Sequence, residues 1–213
     1  MLFDHIQPLS DPLRQYLISI LRRIEVRRKG IILERGKVSK YIYFIEEGAV
    51  RAVRFEKGKE RTAWLMMEGN IIVSVESFFL QQPSTETIEA LEGCILHCIS
   101  YEELYEAYKR FPEFNLHRGV ILEKYYPQSE ARNRMRLKKA RDKFEELMIN
   151  QPDLVGRIKD KILASYLGVS PGTFSLQKNQ FANRLKKEAA KMAKINQPSG
   201  PATIDKKMRN RKK

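Results

Sequence analysis

The side chains able to do chemistry in this chain are few, and the most suggestive group is Cys94-Ile-Leu-His97-Cys98. Thiolates and imidazole are soft ligands, so the segment invites a metal or redox centre. The run is apolar and β-branched, however, and alternation along a strand places Cys94, Leu96 and Cys98 on one face and His97 on the other. The three cannot easily converge on one ion, and buried structural thiols with no metal are expected. His5, His97 and His117 lack neighbours that would make a nucleophile or base, and no Ser/His/Asp set, HExxH, CxxC or phosphate loop occurs. No enzyme is expected.

A second set of residues points to recognition instead. Leu163-Ala-Ser-Tyr-Leu-Gly-Val-Ser-Pro-Gly-Thr-Phe-Ser175 has the spacing of two helices crossing at a tight turn. Ala164 is small where the helices approach, Gly168 supplies the turn, Val169 plugs the core, and Ser170-Pro171 are an N-cap and first-turn proline. In such a helix-turn-helix the second helix enters the major groove with its N-terminal residues at base edges. Ser170, Thr173, Ser175, Gln177 and Lys178 are the candidate DNA contacts, with Lys159 and Lys161 placed for phosphates.

Charge agrees with this partner. The net charge is +14; residues 1–111 hold 16 basic and 16 acidic side chains, whereas 112–213 hold 24 and 10. A neutral half joined to a basic half suggests two modules, the second facing a polyanion. A solvated tail accounts for part of this, since residues 184–213 alone contribute +9. The neutral half carries short strand-like runs, Tyr41-Ile-Tyr-Phe-Ile45 and Ala49-Val-Arg-Ala-Val-Arg-Phe55, punctuated by glycines at 30, 36, 48, 58 and 69. Regular turn signals between such runs indicate a sandwich or barrel. Ser100 with Glu103 predicts a capping box opening a helix that ends at Phe111-Pro112. From Glu113 an apolar stripe with Phe114, Val120, Ile121 and Tyr125 predicts a second helix, kinked or ended near Tyr126 by Pro127. The basic run Arg132 to Lys139 reads as a solvated hinge face. No run is long and apolar enough to span a bilayer, and the opening residues lack an export signal, so a cytoplasmic protein with no membrane contact is expected.

Gly30-x-x-Leu33-x-x-Gly36, followed by Tyr43-Phe-Ile45-x-x-Gly48-x-Val50-Arg51, resembles the signature of the cyclic-nucleotide-binding jelly roll of Crp/Fnr-type bacterial regulators, and Leu163 to Ser175 resembles their DNA-binding segment. The resemblance implies an α+β chain: an N-terminal double-stranded β-helix (jelly roll) effector domain, a long connecting helix that pairs with its twofold mate through Phe114, Val120, Ile121 and Tyr125, and a C-terminal helix-turn-helix. The expected units are 1–112, 113–139 and 140–195, with a disordered basic tail at 196–213 read from its composition. It also implies an effector pocket at Val73, Ser74, Glu76, Ser84 and Thr85, where nucleotide-binding members carry a Gly-Glu pair and an Arg followed by Ser or Thr. The anion-pairing arginine is absent, and neutral hydroxyls bond an anion about half as strongly as a charged donor. Weak or no binding of cyclic AMP is expected, leaving an unidentified small-molecule effector. On the second helix the family's acid and guanine-reading arginine are replaced by Gly172 and Leu176. Two readings follow: a homodimeric transcription regulator bound to double-stranded DNA, or an effector-binding signalling or scaffold module that has lost sequence-specific recognition.

Overall fold

The computed structural model describes residues 8–56 and 58–195. The elements in chain order are α1 (Asp11–Ile20), β1 (Arg22–Val26), β2 (Ile31–Leu33), β3 (Tyr41–Glu47), β4 (Val50–Glu56), β5 (Lys59–Met66), β6 (Ile71–Ile72), α2 (Val75–Leu80), β7 (Glu86–Ala90), β8 (Cys94–Ser100) and α3 (Tyr101–Arg110). They are followed by α4 (Phe114–Leu137), α5 (Ala140–Asn150), α6 (Leu154–Arg157), α7 (Asp160–Leu167) and α8 (Pro171–Ile195). The architecture is the expected α+β one, a β-roll followed by helices. The expected tail at 196–213 lies outside the described residues.

The strands form two antiparallel sheets, β1-β8-β3-β6 and β2-β7-β4-β5. Period-two alternation decides which side chains fill the space between them: Val50 and Ala52 point inward while Arg51 between them does not. Ile45, Val50, Ile88 and Leu96 are completely buried there, each contributing roughly 1.5–3 kcal/mol relative to exposure. Cys94 and Cys98 lie in this core, and burial pushes both thiols up, away from reactive thiolates. His97 points to the other side and meets Glu46 at 2.6 Å. Gly48, in the left-handed region at φ 99°, lies so close to β8 that a Cβ would stand 2.5 Å from Cys94 Sγ and 2.7 Å from the Gly93 carbonyl.

A second core joins α1, α2, α3 and the start of α4 through Leu13, Leu17, Phe78, Leu104 and Phe114. The capping box forms as expected, Glu103 N–H donating to Ser100 Oγ (3.2 Å) and Ser100 N–H to Glu103 (2.9 Å). A third core starts on the outer face of the second sheet, at Ala49 and Leu65, and continues without interruption into Phe144, Leu147, Leu163, Leu167 and Phe174 of α5, α7 and α8. The C-terminal helices are therefore packed onto the roll. Contrary to the expectation from Pro127, α4 runs unbroken through it. Both flanks are tied down, by Ile71 N–H donating to Tyr125 Oη (2.7 Å) and by Arg132 bonding the Ala63 carbonyl (3.2 Å), which offsets the bond the proline removes.

Replacing Gly48 by Ala is expected to destabilise the roll by about 1–3 kcal/mol, from backbone strain plus overpacking against β8. Urea denaturation of the two proteins measures this, and an unchanged midpoint would contradict it.

Candidate nucleic-acid interface and effector site

Formation of the helix-turn-helix follows from local residues. The chain leaves α7 at Gly168, in the left-handed conformation with φ 67°, and re-enters helix at Pro171. Ser170 caps α8: its Oγ accepts from Thr173 N–H (3.0 Å) and lies 2.8 Å from Thr173 Oγ1. Leu163, Ala164, Leu167 and Phe174 are buried between the helices and Val169 is half-buried. Phe144 of α5 meets Phe174 and Phe181 edge-on, ring centroids 5.2 and 5.8 Å apart. That contact fixes which side of α8 is inner.

The outer side is then determined by the 3.6-residue period. Gly172, Ser175, Leu176, Asn179 and Asn183 are exposed on one stripe, continued by Lys186 and Lys187. Of the expected DNA contacts, Ser175 is on this stripe, Ser170 and Thr173 are engaged in the cap, and Lys159 and Lys161 are exposed at the start of α7. Gln177 is half-buried and lines a crevice toward Phe144 and Arg184. Lys178 turns back to Asp160, its Nζ 3.0 Å from both carboxylate oxygens, so its charge is already matched. Asn179 and Asn183, which are not among the expected contacts, are exposed on the same stripe. Their signal was the four-residue spacing from Ser175 once the inner face was anchored at Phe174.

The effector residues separate. Ser74 and Ser84 meet at 2.9 Å between their hydroxyls, both buried, and Ser84 also bonds the backbone of Glu86. Val73 packs instead into the α1/α3 cluster, while Glu76 and Thr85 are exposed, Glu76 accepting from Gln82 at 3.3 Å. These three do not line the interior with the serines; Glu76 is carried off the strand alternation by α2. The buried acid is Glu86, paired at 2.9 Å with Arg54, its cross-strand partner on β4. On β4 the position of Arg54 has the parity of Val50 and Ala52, which is the cue that both groups belong to the inner face.

The four helix residues expected at a twofold seam also divide. Phe114 is 1% exposed in the second core, Tyr125 bonds β6, and Ile121 is half-buried toward the roll; only Val120 is exposed. The apolar stripe of α4 faces its own roll, and the uncovered side carries Leu116, Val120 and Tyr126.

The helix-turn-helix is fastened to the roll by polar contacts as well as by the shared core. Thr62 N–H of β5 donates to Ser165 Oγ of α7 (3.0 Å). Arg157 reaches Glu68 (2.9 Å) and Glu92 (3.0 Å) on two roll loops, and Gly48 N–H donates to Glu68 (2.7 Å). The Arg157 guanidinium holds the Glu68 carboxyl at about 2, below its ordinary 4.5. A carboxylate with a depressed folded-state pKa contributes stability that is complete above the unfolded value and lost as pH falls through the folded one. The stability difference between the native chain and Arg157→Gln is thus expected to be constant near neutrality and to shrink from about pH 4.5 toward pH 2, as read by denaturant titrations across that window.

Residues 23–111 match the family model of the cyclic nucleotide-binding domain. No curated protein matches the chain. Among solved structures, FixK2 from Bradyrhizobium japonicum superposes with a TM-score of 0.66 at 15% identity, over 78% of this chain and 86% of that one. CLP of Xanthomonas campestris, described as a c-di-GMP responsive global regulator, gives 0.65 at 15% identity over 82% and 93%. CooA from Carboxydothermus hydrogenoformans gives 0.62 at 19% identity over 84% and 81%. This chain shares the Crp/Fnr fold with them across both modules, with a cyclic nucleotide-binding domain at its N-terminal end.

Proposed function

We propose, for a chain that joins a cyclic nucleotide-binding domain to a helix-turn-helix in the Crp/Fnr fold, the role of a DNA-binding transcription regulator whose roll is not tuned to cyclic AMP. The observation that carries it is the outward stripe of α8. Its inner face is held by Phe144, and its outer face presents Ser175, Asn179 and Asn183 to solvent. Asparagine can bond adenine N6 and N7 in the major groove, each such pair adding about 1–3 kcal/mol of discrimination. Lys159, Lys161, Lys186 and Lys187, all exposed, flank the stripe as phosphate contacts that fix position without reading sequence. We divide the chain into the roll (1–112), the connecting helix (113–139) and the helix-turn-helix unit (140–195). A homodimer is assigned to the uncovered side of α4, with Leu116, Val120 and Tyr126 at the seam.

The roll's chemistry argues against a cyclic phosphate. Ser74 and Ser84 satisfy each other, and the inward guanidinium, Arg54, is already neutralised by Glu86. An entering phosphate would meet a buried carboxylate and have to displace it from its partner.

Electrophoretic mobility on the promoter of the chain's own gene, at two salt concentrations with unrelated duplex as competitor, tests the DNA reading. Asn179→Ala is expected to reduce discrimination between the promoter and unrelated duplex. The double variant Lys186→Gln/Lys187→Gln should weaken both equally and lower the salt slope by about 2. Equal displacement of the native chain by any duplex would favour the scaffold reading instead. Calorimetry with cyclic AMP is expected to give no saturable heat at micromolar concentration.

A further inference from the structure

A cavity of about 250 Å³ lies on the outer face of the β1-β8-β3-β6 sheet, closed over by α2, α3 and the first turns of α4. Its floor is Phe44 and Ile99, which alternate along their strands with the interior residues Tyr43, Ile45 and Cys98, so the sheet separates it from the roll's own core. Val75 and Phe79 of α2 and Ile121 and Leu122 of α4 form its walls, and Val75 and Leu122 stay 62% and 55% exposed at its mouth. Voids larger than a water molecule are few in close-packed interiors, and an apolar one of about 150 Å³ already holds benzene. Water fills such a space poorly, because it needs several polar partners and these walls are mostly hydrocarbon.

One wall residue is a cation in an unexpected place. Phe114, Ile121 and Tyr125 recur at helical spacing on the side of α4 that faces the roll, and Arg118 stands on the same stripe between Phe114 and Ile121. A solvated arginine belongs on the opposite side, which here carries Leu116 and Val120 instead. Among the described residues Arg118 has no hydrogen bond and no ion pair; its guanidinium lies over the Tyr108 ring, 5.6 Å from the centroid. Stacking on a ring restrains the planar fork and leaves its N–H edge to bond. The two histidines on the wall are engaged, His97 with Glu46 at 2.6 Å and His117 against the Phe114 ring at a centroid distance of 5.4 Å.

We propose that this cavity binds an apolar monocarboxylate, such as a medium-chain fatty acid, with its tail on Phe44 and Ile99 and its carboxylate paired with Arg118. A guanidinium and a carboxylate match as a two-bond fork, and the pair forms where the apolar walls end. A neutral ligand would leave the cation on the inward stripe unused, and a phosphate dianion would meet only one positive charge. The volume is below the roughly 300–1,000 Å³ of a drug-sized pocket, which excludes a nucleotide or a haem. Because α2 and α4 form opposing walls, an occupant braces α4 against the roll beside Val120. That consequence for pairing rests on the proposed homodimer, whereas the binding itself does not.

The test uses the full chain without DNA, with octanoate as probe at constant ionic strength. Acetate, which lacks the tail, and octanol, which lacks the charge, are the controls. Calorimetry and thermal unfolding are expected to show saturable binding and stabilisation by octanoate at one site per chain, no effect of acetate, and binding of octanol weaker by about tenfold or more. Affinity for octanoate should fall by a similar factor in Arg118→Gln and stay unchanged in Arg141→Gln on α5. Arg118 is exposed and bonds nothing, so its variant folds as the native chain does. Ile121→Trp, which fills the cavity, should abolish binding. Equal affinity in the native chain and Arg118→Gln, equal binding of octanol and octanoate, or non-saturable, destabilising uptake of octanoate as a detergent each overturns the proposal.

Discussion

The arrangement of this chain depends on one buried guanidinium. Arg132 leaves α4, donates through Nε to the Ala63 carbonyl on β5 and through Nη2 to the Tyr166 carbonyl on α7, and lies 3.7 Å over the Tyr166 ring. No carboxylate neutralises it among the described contacts, and burial pulls its pKa down to about 10. Carbonyl dipoles and a π face replace water around the charge. Separating α7 from β5 would strip the cation of those partners before solvent could replace them, so roll, connecting helix and helix-turn-helix meet at a joint with a defined geometry.

The joint gives the roll a short mechanical route to α8, the helix proposed to face DNA. The two faces of the β2-β7-β4-β5 sheet do different work. Arg54 and Ala52 on β4 look into the roll, toward Glu86 and Ile88 of β7. The adjacent strand, β5, carries Ala63 and Leu65 and the Thr62 amide that α7 docks on. Neighbouring strands lie roughly 4.8 Å apart, so any shift of β4 driven from the interior reaches α7 across one strand spacing. Arg157, clamped between Glu68 and Glu92, holds the approach to α7 against the other end of the same sheet.

What could be read from the sequence was what is encoded locally. Gly168 and Ser170-Pro171 specify the turn and cap between α7 and α8 within a few residues, and Ser100 with Glu103 does the same for α3. The alternation in β4 and β8 fixed the faces of Val50, Cys94 and Cys98. The readings that shifted depend on partners distant in the chain. Phe114 lies on an apolar stripe, but a stripe does not say whether the surface it covers is its own domain or another copy; here it is the second core. Lys178 is silent until folding brings Asp160 to it across 18 positions. Arg132 looked like one more solvated cation in a basic run, since nothing near it in sequence announces the Ala63 and Tyr166 carbonyls. Glu76 turns outward and Glu86 inward because α2 breaks the strand phase between them.

The same separation of local and distant terms governs how α8 would read DNA under the proposed function. It is 25 residues long, about 38 Å at the usual rise, and α5 anchors it as far as Arg184, through Phe174, Phe181 and the ion pair of Arg184 with Glu145 (2.6 Å). Leu185 and Met192 on the far half are exposed, and Lys186, Lys187 and Lys191 surround them. Lysines there are flexible point charges, able to hold phosphate without distinguishing bases. Discrimination therefore has to reside in the anchored half, where packing holds side-chain directions within the tolerance that bidentate hydrogen bonds require. Ser175, Asn179 and Asn183 are the groups on its outer face with both donors and acceptors. Leu176, between them, offers only an apolar contact such as a thymine methyl provides.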